Sequence, residues 1–571
     1  MNKKAMAVLT AAGIIPAMIG NVSSFAFAEN SDVLHLQNVI LGIEEPEKTD
    51  DINADGKVDV CDLCMLKEKK QSSEEFKKMI FNASSENVKT TGRYLYKNDV
   101  NWLVQSGSAV SFSVTGKSAS VTLAGDSSIE NGEDYRPRYA VLVDGEIIAD
   151  NVMSDAEKEI KLFDEKVSRT AEVKIIHLSE AMNGAVGVKN ITVETDKTTP
   201  VLPAAKKKLN IEFIGDSITC AYGVEGKSSS ESFKTTTENF MKSYAYLAAE
   251  KLDADYSAVS YSGHGVLSGF TTSGDINKDS IVPDYYTKVG KLPDYNVEWD
   301  FESAQSDVVV INLGTNDSSY VSKEPETRSV EFIDAYVDFL GKIREKNPDA
   351  HIICTVGTMG GDMYPYLEEA VKKYSEKTGD SKVTSYESKT QNFADGVGSD
   401  WHPSETTQKK NAYVLADKIC EVLGIESDKV GLDVTADSEY KLNMPEGKGG
   451  NAASYVGYDK SFWINMVTGG NTPDAIEAEI ADITLNKGGT YRLEFDCTST
   501  YDGKLPVMIK GSDGTVYFSD KFEAVADKTH YLAEINIEND DKKASIIYQL
   551  GGKDSYNVTL SNISLTKISQ K

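Results

Sequence analysis

The chain is poor in positive charge. Its 571 residues carry 60 Lys and Arg against 89 Asp and Glu, giving a formal net charge of −29 and an isoelectric point near 4.7. A surface of this sign repels phosphate backbones and anionic headgroups, so nucleic acid and membrane surfaces are poor partners. A neutral polymer such as a polysaccharide is compatible with it.

Long apolar runs are also lacking. Two lysines, a largely apolar run over residues 5–19 and the small-residue string Ala26-Phe27-Ala28 predict a secretory signal peptide over residues 1–28. The alternative, a membrane anchor, is disfavoured because the run is too short to span a bilayer well. No later segment predicts a membrane span, so the protein is expected to be secreted and extracellular.

Cysteine is scarce, with six residues. A secreted chain of this length does not need disulfides to hold its core, so mostly free thiols are expected. Cys61 and Cys64 form a lone CxxC, which is a weak signal for zinc or redox chemistry. Three residues apart on a predicted helix over 61–70, they are expected to be buried small apolar side chains.

Residues 29–72 contain one acidic loop with the spacing of a calcium site. Oxygen-bearing side chains occupy loop positions 1, 3, 5, 9 and 12, glycine occupies position 6, and position 12 is Asp where an EF-hand has Glu. The alternative is a solvated acidic loop. The candidate ligands, with Lys57 at loop position 7, are Asp51, Asn53, Asp55, Lys57, Asp59 and Asp62.

This small α-helical calcium-loop module, with a second helical pattern over 32–43, resembles a dockerin. The resemblance implies a structural calcium and a cohesin-bearing scaffold protein as partner, and thus attachment to a cellulosome. Dockerins carry two such loops; here a single loop is present, so one calcium is expected.

The remaining chain divides into three parts by its apolar periodicity. Residues 75–200 and 433–571 alternate apolar and polar positions between turn signals, which predicts two antiparallel β-sandwich domains. Residues 205–426 instead alternate strands with helices. This pattern predicts a doubly wound α/β domain, a parallel sheet with helices on both faces. Its expected strands are 209–214, 256–260, 308–313, 352–356 and 383–386, and its expected helices 239–251, 330–346, 364–378 and 405–423.

Three polar strings lie beside these α/β elements. Gly215-Asp216-Ser217-Ile218-Thr219 follows the first strand, Gly314-Thr315-Asn316-Asp317 follows the third, and Asp400-Trp401-His402-Pro403 precedes the last helix. Because the carboxyl ends of parallel strands build the sites of open α/β sheets, a serine, an asparagine and a histidine are expected to meet. Acyl transfer to a serine requires that placement.

Each of these residue types suits one task in such a reaction. A serine is a weak nucleophile until a base takes its proton, and His402 is a better candidate base than His264. The Ser217 and Gly263 N–H groups and the Asn316 amide are candidate oxyanion donors, although a plain turn would also explain Gly263. The imidazole would be oriented by the Asp400 carboxylate, or by a backbone carbonyl.

Ser217, Gly263, Asn316 and His402 match the four blocks of the SGNH/GDSL hydrolase superfamily, which has a flavodoxin-like sheet. The strings around them, with the β-sandwich before them, resemble carbohydrate esterase family 2 over residues of about 80–425. The superfamily usually places an Asp three residues before the histidine, where this chain has Ser399. The resemblance implies an acetylxylan-esterase-like enzyme that removes acetyl groups from hemicellulose (acetylated xylan or glucomannan) and needs no cofactor for catalysis.

Several aromatic residues are candidate sugar contacts. Trp401, beside the base, is predicted to stack on a sugar or to pack under its loop, and His264 is a second candidate substrate contact. The last β domain resembles carbohydrate-binding modules of the family 4 and 9 type. Its candidate stacking residues are Tyr455, Tyr458, Trp463 and Tyr501, for which core packing is the alternative.

Other functions fit the same strings. A lipase or a peptidoglycan O-acetyl esterase would use the same scaffold, and a non-catalytic polysaccharide-binding cellulosomal protein would keep the domains with a degenerate site. The intact serine, asparagine and histidine argue against the last of these. The Ser-, Thr- and Gly-rich loops 224–239 and 262–280 argue against a lipid substrate.

Overall fold

The computed structural model describes residues 31–71, 76–436, 438–457 and 460–570. The predicted signal peptide and Tyr458 lie outside these ranges. All six cysteines lie within them and are free, which confirms the expectation of free thiols. Across the described ranges, no helix has the length and apolarity needed to cross a bilayer.

The acidic loop lies between two helices, α1 (Ser31–Ile40) and α2 (Val60–Gln71). α1 ends earlier than its apolar pattern predicted, at Ile40. The prediction that Cys61 and Cys64 are buried is wrong, because both are exposed. The buried side chain of this helix turn is Asp62, whose carboxylate binds back to the loop, and this leaves the two thiols on the solvent side.

An antiparallel sheet with sandwich-like packing precedes the α/β part. In the described chain its strand order is β3-β4-β9-β5-β8-β6-β7, with β1 beside β9 and with β2 and β10 beside β5. The long strands β5 and β8 turn the sheet over a core that includes Phe112, Val141 and Ile191. The strands are β1 (Lys77–Asn82), β2 (Lys89–Thr91), β3 (Tyr94–Lys97), β4 (Val100–Leu103), β5 (Ala109–Gly125), β6 (Arg138–Val143), β7 (Glu146–Val152), β8 (Glu157–His177), β9 (Val186–Thr195) and β10 (Val201–Pro203).

A parallel sheet follows, in the order β12-β11-β13-β14-β15. This is the flavodoxin-like order, which creates a switch point between the carboxyl ends of β11 and β13. The strands are β11 (Leu209–Gly215), β12 (Ala254–Ser260), β13 (Val308–Asn312), β14 (His351–Val356) and β15 (Val383–Glu387). The helices are α3 (Ser217–Cys220), α4 (Tyr244–Lys251), α5 (Ser318–Val321), α6 (Pro325–Lys346), α7 (Tyr364–Thr378) and α8 (Glu405–Leu423).

Alternate residues of the parallel strands face two separate cores. Ile214 and Ile311 pack with Phe332 of α6 and with α7, whereas Phe213 and Val310 pack with α4 and α8. Helices therefore cover both faces of the sheet, as predicted. α4 begins at Tyr244 rather than at 239, because the Ser243 side chain caps it, and α6 begins earlier than predicted, with Pro325 in its first turn.

The last part of the chain forms two antiparallel sheets packed face to face. In its described residues the orders are β16-β19-β24-β21-β22 and β17-β18-β25-β20-β23, around a core that includes Phe495, Phe522 and Tyr548. The strands are β16 (Glu439–Asn443), β17 (Gly450–Val456), β18 (Phe462–Gly469), β19 (Glu477–Leu485), β20 (Gly489–Ser499), β21 (Gly503–Lys510), β22 (Val516–Ala524), β23 (Thr529–Asn536), β24 (Asp541–Gln549) and β25 (Asn557–Gln570).

Candidate active site

Ser217 occupies the first turn of α3, directly after β11. Asp216 caps this short helix, because its carboxylate accepts the Ile218 N–H at 3.0 Å. A side chain at Gly215 would meet the Thr219 hydroxyl oxygen at 2.0 Å, so only glycine allows a turn this tight. The serine hydroxyl is thereby held at the carboxyl edge of the sheet, at the switch point.

His402 lies against this serine. Its Nε2 is 2.8 Å from Ser217 Oγ, and its Nδ1 is 3.2 Å from the carbonyl oxygen of Ser399. With the proton on Nδ1 donated to that carbonyl, Nε2 presents a lone pair to the serine hydroxyl. Burial lowers the pKa of His402, so the imidazole is neutral near pH 7 and able to accept a proton.

Of the two candidates for orienting His402, the Asp400 carboxylate and a backbone carbonyl, the structure places the carbonyl against the ring. The Asp400 carboxylate is exposed and accepts the Tyr222 hydroxyl at 2.8 Å, whereas Nδ1 of His402 is bound by the Ser399 carbonyl. The reason is the turn before the histidine. The His402 N–H donates to the same Ser399 carbonyl at 3.0 Å, and this brings the carbonyl oxygen close to Nδ1. Asp400, with a left-handed φ of 50°, lies at the outside of the turn.

Tyr222 is a site residue that the sequence analysis missed. The centroid of its ring lies 4.2 Å from that of the His402 imidazole, and its other face stacks on Phe233 at 4.6 Å. Burial and the Asp400 carboxylate raise the pKa of Tyr222, so the phenol stays protonated and donates to Asp400. The two rings form a wall beside the histidine.

The candidate oxyanion donors come from two neighbouring loops. Asn316 is buried after β13, and its Nδ2 is 2.9 Å from the His264 carbonyl and 3.3 Å from an Asp216 carboxylate oxygen. Gly263 follows β12 with a left-handed φ of 74° and open space around it. Within the described residues, its N–H has no hydrogen-bond acceptor. The neighbouring Asp317 carboxylate accepts the N–H groups of 266–268, which ties the two loops together.

His264, a predicted substrate contact, is a buried residue in the structure. The residue is 1% exposed, and its ring packs against Tyr261 and Tyr285. Its Nδ1 bonds to the Ser262 carbonyl at 2.9 Å, and burial lowers its pKa to about 4. Its backbone carbonyl accepts a hydrogen bond from the Asn316 amide at 2.9 Å.

Trp401 is exposed beside the site. Its side chain is 56% accessible, and it meets the exposed ring of Phe393 edge to face at 5.7 Å. The residue has a left-handed φ of 66°, and the Gln391 amide holds its carbonyl at 2.9 Å. A flat aromatic surface next to the histidine is thus available to a ligand.

The acidic loop has the donor chemistry of a calcium site. The two Asp51 oxygens accept the N–H groups of Asp55 and Gly56, and Asp62 accepts those of Ile52 and Asn53. Gly56 has the left-handed φ of 84° that the sharp turn needs. In the described ranges, no three acidic groups of this loop bring oxygens within 4.8 Å of one another. The chemical type of the donors and the shape of the turn therefore fit calcium, although the carboxylates do not converge on one point.

A serine hydroxyl bonded to a neutral histidine, with amide donors beside it at the switch point of a parallel sheet, defines a site of the serine hydrolase class. Comparisons with known proteins identify the families that this chain matches within that class. Residues 213–410 match the GDSL-like Lipase/Acylhydrolase family, and residues 90–203 match the Carbohydrate esterase 2 N-terminal family.

The relatives agree with this assignment. The chain is 34% identical to a cellulase/esterase CelE of Acetivibrio thermocellus over 328 residues, which cover 56% of this chain and 37% of that protein. It is 26% identical to an acetylxylan esterase / glucomannan deacetylase of Cellvibrio japonicus over 353 residues, 60% of this chain and 90% of that one. The chain thus spans just over a third of the first relative and most of the second.

Solved structures also resemble this chain. A family two carbohydrate esterase from Clostridium thermocellum in complex with cellohexaose is 30% identical with a TM-score of 0.51, covering 59% of this chain and 99% of that one. An acetyl xylan esterase from Butyrivibrio proteoclasticus is 25% identical with a TM-score of 0.54, covering 61% and 99%. The chain belongs to carbohydrate esterase family 2.

Proposed function

We propose that the protein is a secreted serine esterase that removes O-acetyl groups from plant hemicellulose. The observation that carries the proposal is the 2.8 Å contact between Ser217 Oγ and His402 Nε2. The names of the relatives support the substrate class, because one is called an acetylxylan esterase / glucomannan deacetylase. The acidic surface of the chain is compatible with a neutral polymer.

In the first half-reaction, Ser217 Oγ attacks the carbonyl carbon of a sugar acetate and its proton passes to His402 Nε2. The positive charge on the imidazole is stabilised by the Ser399 carbonyl, which accepts the Nδ1–H. The bond between the carbonyl carbon and the sugar oxygen then breaks. His402 gives the proton to the departing sugar oxygen, which becomes a hydroxyl, and an acetyl group remains on Ser217.

In the second half-reaction, water attacks the acetyl-serine. His402 takes one water proton and gives it to the serine oxygen as acetate leaves. Both tetrahedral intermediates carry an oxyanion, for which the Ser217 N–H, the Gly263 N–H and the Asn316 amide are the proposed donors. Each donor is typically worth about 2.7–4 kcal/mol at the transition state.

The surroundings of the site favour a sugar over a lipid. Trp401 and Phe393 offer an open surface of two exposed rings. The loops 224–239 and 262–280 are rich in Ser, Thr and Gly. A carbohydrate presents flat CH faces to such rings and hydroxyls to such loops. A lipase remains the alternative on this scaffold.

Acetate release tests the proposal. Wild-type protein is incubated with acetylated xylan, acetylated glucomannan, acetylated peptidoglycan and a long-chain p-nitrophenyl ester. The proposal expects release from the two plant polymers well above the others. Intact-mass analysis after rapid acid quench of a p-nitrophenyl acetate reaction should show an adduct of one acetyl group, absent from Ser217→Ala. Preference for the long-chain ester would favour the lipase.

We further propose that the last β domain binds polysaccharide through a face on β17 and β18. Tyr455 and Trp463 are direct cross-strand partners, 63% and 55% exposed, so their rings stand side by side toward solvent. Tyr501 instead packs against Tyr556 at 5.3 Å. Trp463→Ala should weaken retention on insoluble xylan while leaving the hydrolysis of p-nitrophenyl acetate unchanged.

For the N-terminal module we propose one bound calcium and docking onto a cohesin-bearing scaffold. The loop residues 51–62 would supply carboxylate, amide and carbonyl oxygens to the ion. Isothermal titration of calcium should give one site in the wild type and none in Asp51→Ala. Unchanged calcium binding in that variant would refute the site.

A further inference from the structure

A buried acidic pair lies behind the candidate active site. Glu180, from the loop between β8 and β9, is 4% exposed, and Glu238, from the loop before α4, is fully buried. One carboxylate oxygen of each and the Sγ of Cys220 all lie within 4.8 Å of one another. The pair joins the antiparallel domain to the α/β domain.

Glu180 contacts both segments that build the site. One of its oxygens accepts the Ser262 N–H at 2.8 Å, and the Cys220 thiol donates to the same oxygen at 3.9 Å. Ser262 directly precedes Gly263, a candidate oxyanion donor, and Cys220 ends the helix that begins at Ser217. A single carboxylate of the antiparallel domain thus contacts two groups of the α/β domain. One is the Cys220 thiol, one turn after Ser217, and the other is the Ser262 N–H, one residue before Gly263.

Glu238 holds Glu180 in turn. Its carboxyl accepts the Glu180 N–H at 2.9 Å, while its other oxygen is buried without a partner among the described residues. Burial raises the pKa of both carboxyls, that of Glu238 well above its usual range. Glu180 is the better hydrogen-bonded carboxyl of the pair, because it receives the Ser262 N–H and the thiol.

We propose that Glu180 is a positioning residue for acyl transfer: from the antiparallel domain it fixes the Ser262 peptide, and thereby the orientation of the Gly263 N–H toward the oxyanion. The inference rests on the proposed esterase function. The antiparallel domain is then a structural part of the active site rather than an appended module. It supplies the Glu180 carboxylate that accepts the N–H of Ser262, next to Gly263.

Loss of this acceptor should act on the transition state more than on substrate binding. The oxyanion forms only after attack, so a displaced Gly263 N–H lowers kcat and leaves KM nearly unchanged. Removing an oxyanion donor outright costs about 10²–10³ in kcat. A donor that is misaligned rather than removed should cost about 10- to 100-fold.

The test compares Glu180→Ala, Glu180→Gln and Glu180→Asp with the exposed-residue control Glu146→Ala, using p-nitrophenyl acetate. Glu180→Ala and Glu180→Asp are expected to lower kcat by about 10- to 100-fold with KM within about twofold. Glu180→Gln should restore most of the rate, because its amide oxygen still accepts the Ser262 N–H. Glu146→Ala should match the wild type.

Thermal unfolding of each variant separates positioning from loss of fold. If Glu180→Ala does not fold, the shorter carboxylate of Glu180→Asp decides, and a folded Glu180→Asp with unchanged kcat overturns the proposal. A Glu180→Gln variant no better than Glu180→Ala also overturns it. Stoichiometric metal in the purified protein, lost in Cys220→Ser, would overturn it too, because the carboxyls would then be ligands. An inactive wild type would instead refute the proposed function.

Discussion

The carbonyl oxygen of Ser399 lies 3.2 Å from Nδ1 of His402, where a triad would place a carboxylate. A carbonyl dipole orients the ring and stabilises the imidazolium without carrying a full charge. The candidate site therefore has the form of a serine–histidine dyad, with a neighbouring carboxylate, Asp400, that is bound to a tyrosine instead.

The dyad predicts unequal effects of two substitutions. Asp400→Asn should lower kcat/KM by less than about tenfold, because an amide in place of that carboxylate leaves the Ser399 carbonyl undisturbed, whereas His402→Ala should lower it by about 10³ or more. Initial rates on p-nitrophenyl acetate measure both. Tyr222→Phe, which removes the hydroxyl that Asp400 accepts, is the matched control. A loss near 10⁴ for Asp400→Asn, the scale seen when a triad carboxylate is amidated, would contradict the dyad.

The acid limb of the pH–rate profile should lie below the usual histidine value. Burial lowers the pKa of His402 from 6.5, so the ring stays neutral, and able to accept the serine proton, at pH values below 6.5. The Asp400 carboxylate raises that pKa, so Asp400→Asn should move the limb further toward acid. The measurement is kcat/KM as a function of pH across the acidic and neutral range. A limb centred above 6.5 would be inconsistent with this environment.

Trp401 should affect the KM for a polymeric substrate and leave the hydrolysis of a small ester unchanged. Trp401→Ala removes an exposed ring beside the histidine, and loss of a stacked ring typically costs about 1 kcal/mol, so KM for acetylated xylan should rise about fivefold. The rate on p-nitrophenyl acetate should stay within about twofold. Tyr96→Ala, which removes an exposed aromatic side chain of the antiparallel domain, serves as the control. Equal losses on both substrates would show a packing role instead.

A buried ion pair should couple the antiparallel sheet to the parallel sheet, so that the two unfold together. The Arg93 guanidinium, fully buried, lies 2.8 Å from the Glu212 carboxylate on β11. Arg93→Ala leaves that carboxylate without its cation and should lower the free energy of unfolding by about 3–5 kcal/mol. Denaturant unfolding measures this, with the exposed pair variant Arg492→Ala expected to change it by less than about 1 kcal/mol. A loss that small for Arg93→Ala would refute the coupling.

The position of Ser217 and His402 was predictable because it depends on local rules. A glycine-led turn after a buried strand and a helix entry after a polar loop both place side chains at the carboxyl edge of a parallel sheet. The parallel sheet and both helical layers follow from the alternation of strands and helices along the chain. These features need no knowledge of distant contacts.

The surroundings of Asp400 and His264 could not be predicted from the sequence, for physical reasons. Two consecutive left-handed residues, Asp400 and Trp401, turn the chain so that a carbonyl reaches the ring, and no residue there signals such a backbone. His264 stands in a glycine-rich loop that looks open, yet Tyr285, from further along the chain, buries it. Glu180 comes from another domain, so its contact with Ser262 depends on domain packing that periodicity does not reveal.

The role of Ser217 in deacetylation is measured by acetate release from acetylated xylan and glucomannan, with the wild type and Ser217→Ala at equal concentration. The serine mechanism predicts steady release by the wild type and a loss of about 10³-fold or more in Ser217→Ala, with thermal unfolding showing that both proteins are folded. Equal rates for the two proteins would contradict the serine mechanism.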